Sequence, residues 1–209
     1  RIPKVAQKLL SCFQMLIAQD QTTADRLTIL GAKNPLVCGN LKLDAPALTA
    51  DADHVKAMRA AFGERPVWLA ASTHEGEEMA ALETHNLLLP SFPNLLTLIA
   101  PRHAVRGDEI YTQLARHLPD RSTISQRSQN QKLSAKTQVY LVDTMGELGL
   151  LYHSLDLVFI GGTLVPHGGQ NPIEAAALNC ALLQGPNVQN FAEIFADLQA
   201  HEAAIEVAD

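Results

Sequence analysis

The sequence predicts an α/β domain whose parallel sheet is covered by helices on both faces, and three observations carry that expectation. From residue 67 to residue 207, short apolar runs alternate with segments of helical spacing. The runs are apolar throughout, with no polar alternation, as strands buried on both faces of a parallel sheet must be. One stretch, LDLVFIGGTLVPHGGQNPIEAAAL (155–178), contains the whole repeating unit: a buried strand, a loop with four glycines, and a helix opening at Asn171 and Pro172. The fold class is therefore a doubly wound, Rossmann-like parallel sheet.

Taken in order, residues 1–11 have helical spacing but no start signal and no initiator Met, and are expected to continue a longer protein. FQMLIA (13–18) reads as a short strand, 21–30 as a helix stopped by Gly31, and LVCGNLKL (36–43) as extended chain. Residues 1–45 are expected to be the end of one domain and the crossing into the next, and residues 46–209 a second domain. DAPALTADAD (44–53) reads as the linker into a helix at 53–62. The expected strands are VWLAA (67–71), LLTLIA (95–100), TISQ (123–126), VYLV (139–142), LDLVFI (155–160), ALLQ (181–184) and AIEV (204–207). The helices between them are expected at 76–89, 105–118, 146–153, 172–178 and 192–200. The polar stretch 122–136 is expected to be mobile.

Composition narrows the function classes. In 209 residues, 47% are apolar and 18% charged, with a formal net charge of −6. That suits a soluble globular protein and argues against nucleic acid as the main partner. No apolar run is long enough to span a bilayer, and no signal peptide is seen. Cys12, Cys38 and Cys180 lie far apart without metal or disulfide spacing, and the eight histidines show no metal-binding motif. No metal and no other cofactor is expected.

Ligands of open parallel sheets bind beyond the carboxyl ends of the strands. Four such ends carry polar chemistry: Ser72, Thr73, His74, Glu75, Glu77 and Glu78 after the first; Pro101, Arg102 and His103 after the second; Asp143, Thr144, Met145, Gly146 and Glu147 after VYLV; and the glycine loop with Asn171 and Glu174. Asn171 is a preferred N-cap, Pro172 suits the first turn, and Glu174 stands at a capping-box position. Glycines before a helix start admit a ligand to the backbone, where free N–H groups favour a phosphate. Each feature has a plain structural alternative. Ser72 or Thr73 can cap a helix whose dipole Glu77 and Glu78 complement, and Thr144 with Glu147 has capping-box spacing. Their co-location favours a nucleotide-shaped ligand spanning the edge.

ASTHEGEE, APRH, DTMGEL and GGTLVPHGGQNPIEAA, in this order, resemble the donor domain of the 3-deoxy-D-manno-octulosonic acid (Kdo) transferases of lipopolysaccharide assembly. LIAQDQTTADRLTILGA and VCGNLKLDA are similar to that family's inter-domain region. The resemblance implies the C-terminal half of a GT-B glycosyltransferase, which binds CMP-Kdo. The N-terminal half would hold a lipid A precursor at the cytoplasmic face of the inner membrane, while this chain alone would be soluble. Pro101 and Arg102 would border the cytosine; Met145, Gly146 and Glu147 would line the nucleotide; Asn171, Pro172, Ile173 and Glu174 would hold phosphate and ribose. Ser72, Thr73, His74 and Lys42 are implied for the leaving phosphate or the sugar carboxylate.

The family's proton acceptor is a glutamate of the N-terminal domain, so no catalytic base is assigned within this chain. Helices that close the cleft are expected beyond residues 204–209. Two other readings stay open: a UDP-sugar transferase or 2-epimerase of the same architecture, and a non-catalytic nucleotide-binding module.

Overall fold

The computed structural model describes residues 2–208, with Ile2, Pro3, Lys42 and Leu43 described by their backbone alone. The chain divides into two compact units at Pro46 and Ala47. The first holds α1 (Ile2–Leu10), β1 (Ile17–Ala18), α2 (Gln21–Ile29) and β2 (Leu36–Val37), followed by a 3₁₀ turn at Leu41–Asp44. β1 and β2 pair in parallel over two residues each. The expected strand at 13–18 and extended segment at 36–43 shrink to these four residues, with bonds from the Leu36 N–H to the Leu16 carbonyl and from the Cys38 N–H to the Ala18 carbonyl at their ends. Asp20 starts α2 by accepting from the N–H of Thr23 at 2.6 Å.

The second unit runs α3 (Ala52–Phe62), β3 (Val67–Thr73), α4 (Glu77–Leu88), β4 (Leu96–Pro101), α5 (Gly107–His117), β5 (Ile124–Gln126), β6 (Val139–Leu141), α6 (Leu148–Ser154), β7 (Leu157–Ile160), α7 (Ile173–Ala176), β8 (Ala181–Gln184), α8 (Ala192–Ala200) and β9 (Ala204–Glu206). Its seven strands form one sheet in the order β5-β6-β4-β3-β7-β8-β9, with every pairing parallel. The expected strands all form, with ends displaced by a residue or two. The expected helix at 172–178 is a single turn, and the one at 105–118 is split into a 3₁₀ turn (Ala104–Arg106) and α5.

Alternate side chains along each strand feed two cores. Leu69, Leu98, Tyr140, Val158 and Leu182 meet Met58, Leu151 and Phe195 on one face. Trp68, Ile99, Leu141 and Phe159 meet Leu82, Ile110 and Leu114 on the other. The burial of both faces is the reason the strands carry no polar alternation.

The 122–136 stretch, expected to be mobile, is tied down. Ser128 gives its N–H and its hydroxyl to Asp143, and Gln131 accepts from the N–H of Gln126. Arg65 donates to the carbonyls of Asn94, Leu95, Ser134 and Thr137. Apart from the Gln126–Gln131 bond these partners are distant in sequence, so local composition does not reveal them.

His85 makes an acid-sensitive point in this core. It is fully buried, with Nδ1 2.9 Å from the Thr97 hydroxyl and Nε2 without a partner among the described residues. Burial lowers its pKa from 6.5 to about 4. Between those values the unfolded chain binds more protons, so this contribution to stability is present above pH 6.5 and is lost as pH falls toward 4. His85→Gln removes the titration. Urea denaturation at pH 7 and pH 5 should show the parent losing about 2 kcal/mol more than the variant across that interval.

Candidate functional site

In sequence order the chain builds β3, then β4, β5 and β6 on one side of it, and then crosses to β7 on the other. The reversal leaves a crevice between the carboxyl ends of β3 and β7, the usual ligand position of such sheets. Here the two strand ends are joined by one side chain. Glu77, only 1% exposed, accepts from the N–H groups of His74 at 2.8 Å, Gly162 at 2.7 Å, and Thr163 and Leu164 at 3.0 Å each. The structural alternative read from the sequence, an acid complementing the helix dipole, did not include these bonds. They also change the expected phosphate site, since three N–H groups of the glycine loop are already bonded to a carboxylate. Gly161 is required by close approach: a Cβ there would stand 2.4 Å from the Ser72 carbonyl oxygen.

Neither Ser72 nor Thr73 caps α4. Its N-cap is Gly76, without a side-chain bond. Ser72 sits at a register shift between β3 and β4 with φ of 55°, a left-handed conformation uncommon for a non-glycine residue. Thr73 is buried and donates its hydroxyl to Glu78 at 3.1 Å, and Arg106 donates to the same oxygen at 2.9 Å. Burial raises the Glu78 pKa against the pull of Arg106.

His74 is buried, and the exposed His167 stacks on it with ring centroids 3.8 Å apart and planes at 31°. His103 meets it edge-on at 6.0 Å. Gln170 donates its amide to His74 Nε2 at 2.9 Å, which places the ring proton on Nδ1. Burial, and next His167, lower the His74 pKa. Arg102 and His103 are exposed at the end of β4, beside the buried Pro101. Among the described residues, no three His, Cys, Asp or Glu side chains are placed to hold a metal ion.

Beyond β6, Met145 and Gly146 are exposed, while Glu147 is held from behind. Arg127 Nε donates to its two oxygens at 2.9 and 2.7 Å, and the Thr144 hydroxyl donates to it as well. Burial would raise the Glu147 pKa, but the Arg127 and Thr144 hydrogen bonds outweigh it and the net shift is downward. The capping box that the spacing left as the structural alternative does not form, and α6 starts after Glu147. Asp143 is likewise pulled below its ordinary range, as hydrogen bonds from Gln126 and Ser128 overcome the cost of burial.

Beyond β7, the N-cap of α7 is Pro172, one residue later than the expected Asn171, whose Oδ1 accepts from the N–H of Ile173 at 3.1 Å from just outside the helix. The Asn171 amide donates to Glu174 Oε1 at 3.0 Å, in place of the backbone bond that a capping box would give. Pro172 is buried; Asn171, Ile173 and Glu174 are half-buried. The sheet order thus brings Pro101, Arg102, Ser72, Thr73, His74, Met145, Gly146, Glu147 and the 171–174 segment to one edge. The side chain of Lys42 lies outside the described residues. His167 and Gln170 were not assigned from sequence; their only signal was two polar side chains in a glycine loop after a buried strand. Arg127 carried none, because its partner lies 20 residues away and only the strand order makes them neighbours.

A seven-stranded doubly wound sheet with its polar loops at the switch point defines an α/β domain of the kind that forms half of a GT-B glycosyltransferase. Its structure is similar to the C-terminal CMP-Kdo binding domain of WaaA from Acinetobacter baumannii, with a TM-score of 0.67 and 32% identity, over 76% of this chain and 84% of that one. Among curated proteins it is 37% identical over 204 residues to the 3-deoxy-D-manno-octulosonic acid transferase of Haemophilus influenzae, covering 96% of this chain and 47% of the relative. It is 32% identical to the enzyme of the same name from Bordetella pertussis, again over 47% of the relative. No protein-family model matches. The chain belongs to the Kdo transferase family, and it spans about half the length of these curated relatives.

The carboxylate that joins β3 to β7 is open to test. Glu77→Gln replaces one acceptor oxygen by a donor facing backbone N–H groups. It should cost about 2–3 kcal/mol in chemical denaturation, with Glu77→Ala no milder. A variant as stable as the parent would show that the four bonds contribute nothing net.

Proposed function

We propose that this chain is the donor-binding part of a glycosyltransferase that moves Kdo from CMP-Kdo to a lipid A precursor. The observation that carries the reading is the order of strand ends. The DTMGE, APRH, STHE and GGQNPIE segments follow β6, β4, β3 and β7, which are neighbours in the sheet. At about 4.8 Å between strands, four neighbouring strand ends span enough of the sheet edge for a ligand the length of a nucleotide-sugar. The base would lie near Pro101, Arg102, Met145 and Gly146, with Glu147 fixed beneath by Arg127. The ribose and phosphate would lie near Asn171, Ile173 and Glu174, whose Oε2 has no hydrogen bond among the described residues. Ser72 and Thr73 shape the floor, and His74 faces the leaving phosphate or the sugar carboxylate.

Donor binding in this reading needs no metal and no other cofactor. Arg102 and the imidazoles supply the positive and donor groups that a phosphate requires. Transfer breaks the anomeric C–O bond while the acceptor hydroxyl loses its proton, so a base is needed. Glu77 is bound to four N–H groups and Glu147 to Arg127, which removes two carboxylates from that role. We assign the base, the lipid acceptor and the contact with the cytoplasmic face of the inner membrane to the rest of the intact enzyme. No helix among the described residues is long and apolar enough to cross a membrane.

Calorimetry with CMP, UMP and UDP side by side should give preference for CMP without added divalent metal. Metal-dependent binding of UDP alone would favour a UDP-sugar enzyme of the same architecture. Glu174→Gln should weaken CMP binding by about 1.5–3 kcal/mol, tenfold or more, with little change in melting temperature, because Gln still accepts from Asn171. Unchanged affinity would return Glu174 to a capping role. The chain alone should transfer no Kdo, and transfer by it would place a base within it, with the exposed Glu75 the first suspect.

A further inference from the structure

We propose that α1 is a docking helix for an anionic lipid bilayer, laid along the membrane surface by an apolar stripe with lysines on its margin. The inference is independent of the nucleotide reading. It gives this chain a membrane contact of its own, beside the one assigned to the rest of the enzyme.

The sequence separates charge at this point. The whole chain carries a formal charge of −6, yet residues 1–19 hold Arg1, Lys4 and Lys8 and no acid before Asp20. A helix turns about 100° per residue, which puts Lys4, Val5, Lys8, Leu9 and Cys12 on one side of α1 and Ala6 and Leu10 on the other. The structure follows that division. Ala6 and Leu10 are half-buried, while the five residues opposite are exposed and line one shallow groove. Val5 is 70% and Leu9 61% exposed, so this stripe has no cover within its own unit. Gln7 packs over Gly31, where a Cβ would stand 2.6 Å from Gln7 Cγ, and this close approach helps hold the helix with the stripe turned outward. The chain leaving the helix stays apolar and exposed at Phe13, Met15 and Ile17.

Charge selects the occupant, since an apolar stripe alone would accept any apolar surface. Neither Lys4 nor Lys8 has an ion-pair partner among the described residues. A second copy of this face would bring like charges together. A bilayer surface with anionic headgroups meets both features at once. The apolar side chains enter the boundary between headgroups and acyl chains, and the lysine stems lie along it with their ammonium groups among the phosphates. A basic amphipathic helix on an otherwise acidic protein is the pattern such a surface selects. With nine residues the helix is short, so the contact is reversible and salt-sensitive rather than an anchor.

The test is co-sedimentation of the chain with vesicles of phosphatidylcholine alone and of phosphatidylcholine mixed with phosphatidylglycerol. Binding is expected only to the mixed vesicles, and it should fall severalfold between about 0.1 M and about 0.5 M salt as the charges are screened. At about fivefold per cation near an anionic surface, Lys4→Gln with Lys8→Gln should weaken partitioning about twentyfold. Val5→Ser with Leu9→Ser should weaken it comparably. All four side chains are exposed, so neither pair of changes should lower the melting temperature. Leu87→Ser and Lys132→Gln, at exposed positions of the second unit, should leave binding unchanged. Equal binding to neutral vesicles, binding to neither, or lysine variants that bind like the parent would overturn the inference. So would sedimentation without vesicles that Leu9→Ser abolishes, because the occupant would then be a second copy. In the full-length enzyme, an environment-sensitive probe on the exposed Cys12, with Cys38→Ser and Cys180 buried, should enter an apolar environment only when mixed vesicles are added. A probe already shielded without them would show that the enzyme's own polypeptide covers the face, and would overturn the inference as well.

Discussion

The site depends on one buried carboxylate. Glu77 leaves the first turn of α4 and collects N–H groups from two strand ends that are 85 to 87 residues apart in sequence from it or adjacent to it. A glycine loop of this kind, with consecutive N–H groups facing inward, is ordinarily where a sheet of this class receives a phosphate. Here the protein supplies its own anion. The loop is shaped before any ligand arrives, at the cost of the backbone donors that would otherwise have met it. Any ligand at this edge meets a loop whose Gly162, Thr163 and Leu164 N–H groups are already engaged.

That substitution separates what was legible in the sequence from what was not. The strands were legible because each is buried on both faces, and local hydrophobicity reports that directly, as in VYLV and LDLVFI. The site's location was legible because sheet topology fixes where strands end. Residue roles were legible only where partners are near in sequence, as Asn171 is to the N–H of Ile173. For Glu77 the sequence offered helix-dipole complementation as the structural alternative, because three of its four partners lie on the far side of the β3–β7 step. Glu147 had capping-box spacing from Thr144, yet Arg127 claims it. The length of α7 was overestimated for a related reason: AAAL has helical propensity, but the chain must turn at Asn179, which has a positive φ of 61°, to reach β8.

The same pattern governs the other strand ends. Glu78 is bound by Arg106 and Thr73, Glu147 by Arg127 and Thr144, and Asp143 by Ser128 and Gln126. Carboxylates buried behind the loops are held by hydrogen bonds, because an unpaired buried charge would be far more costly than a lost surface contact. These bonds join segments that sheet pairing alone would leave independent. The 3₁₀ turn bearing Arg106 is fixed to α4, and the 127–131 segment to the loop beyond β6.

A consequence for charge follows from where these acids go. The chain is acidic overall, with a formal charge of −6, and a nucleotide-sugar is also an anion. Along the crevice, however, Glu77, Glu78, Asp143 and Glu147 turn away from solvent into bonds with N–H, hydroxyl, amide and guanidinium groups. What faces outward is Arg102, His103, His167, Met145 and Gly146. The negative charge that remains available is concentrated on Glu174 and Glu75, the first half-buried beside Asn171 and the second exposed just before α4. Net charge therefore says little about this edge. The fold takes these acids out of solvent by making them the ties that hold the loops at the strand ends, so that loop rigidity and the reduced negative charge of this edge come from the same set of side chains.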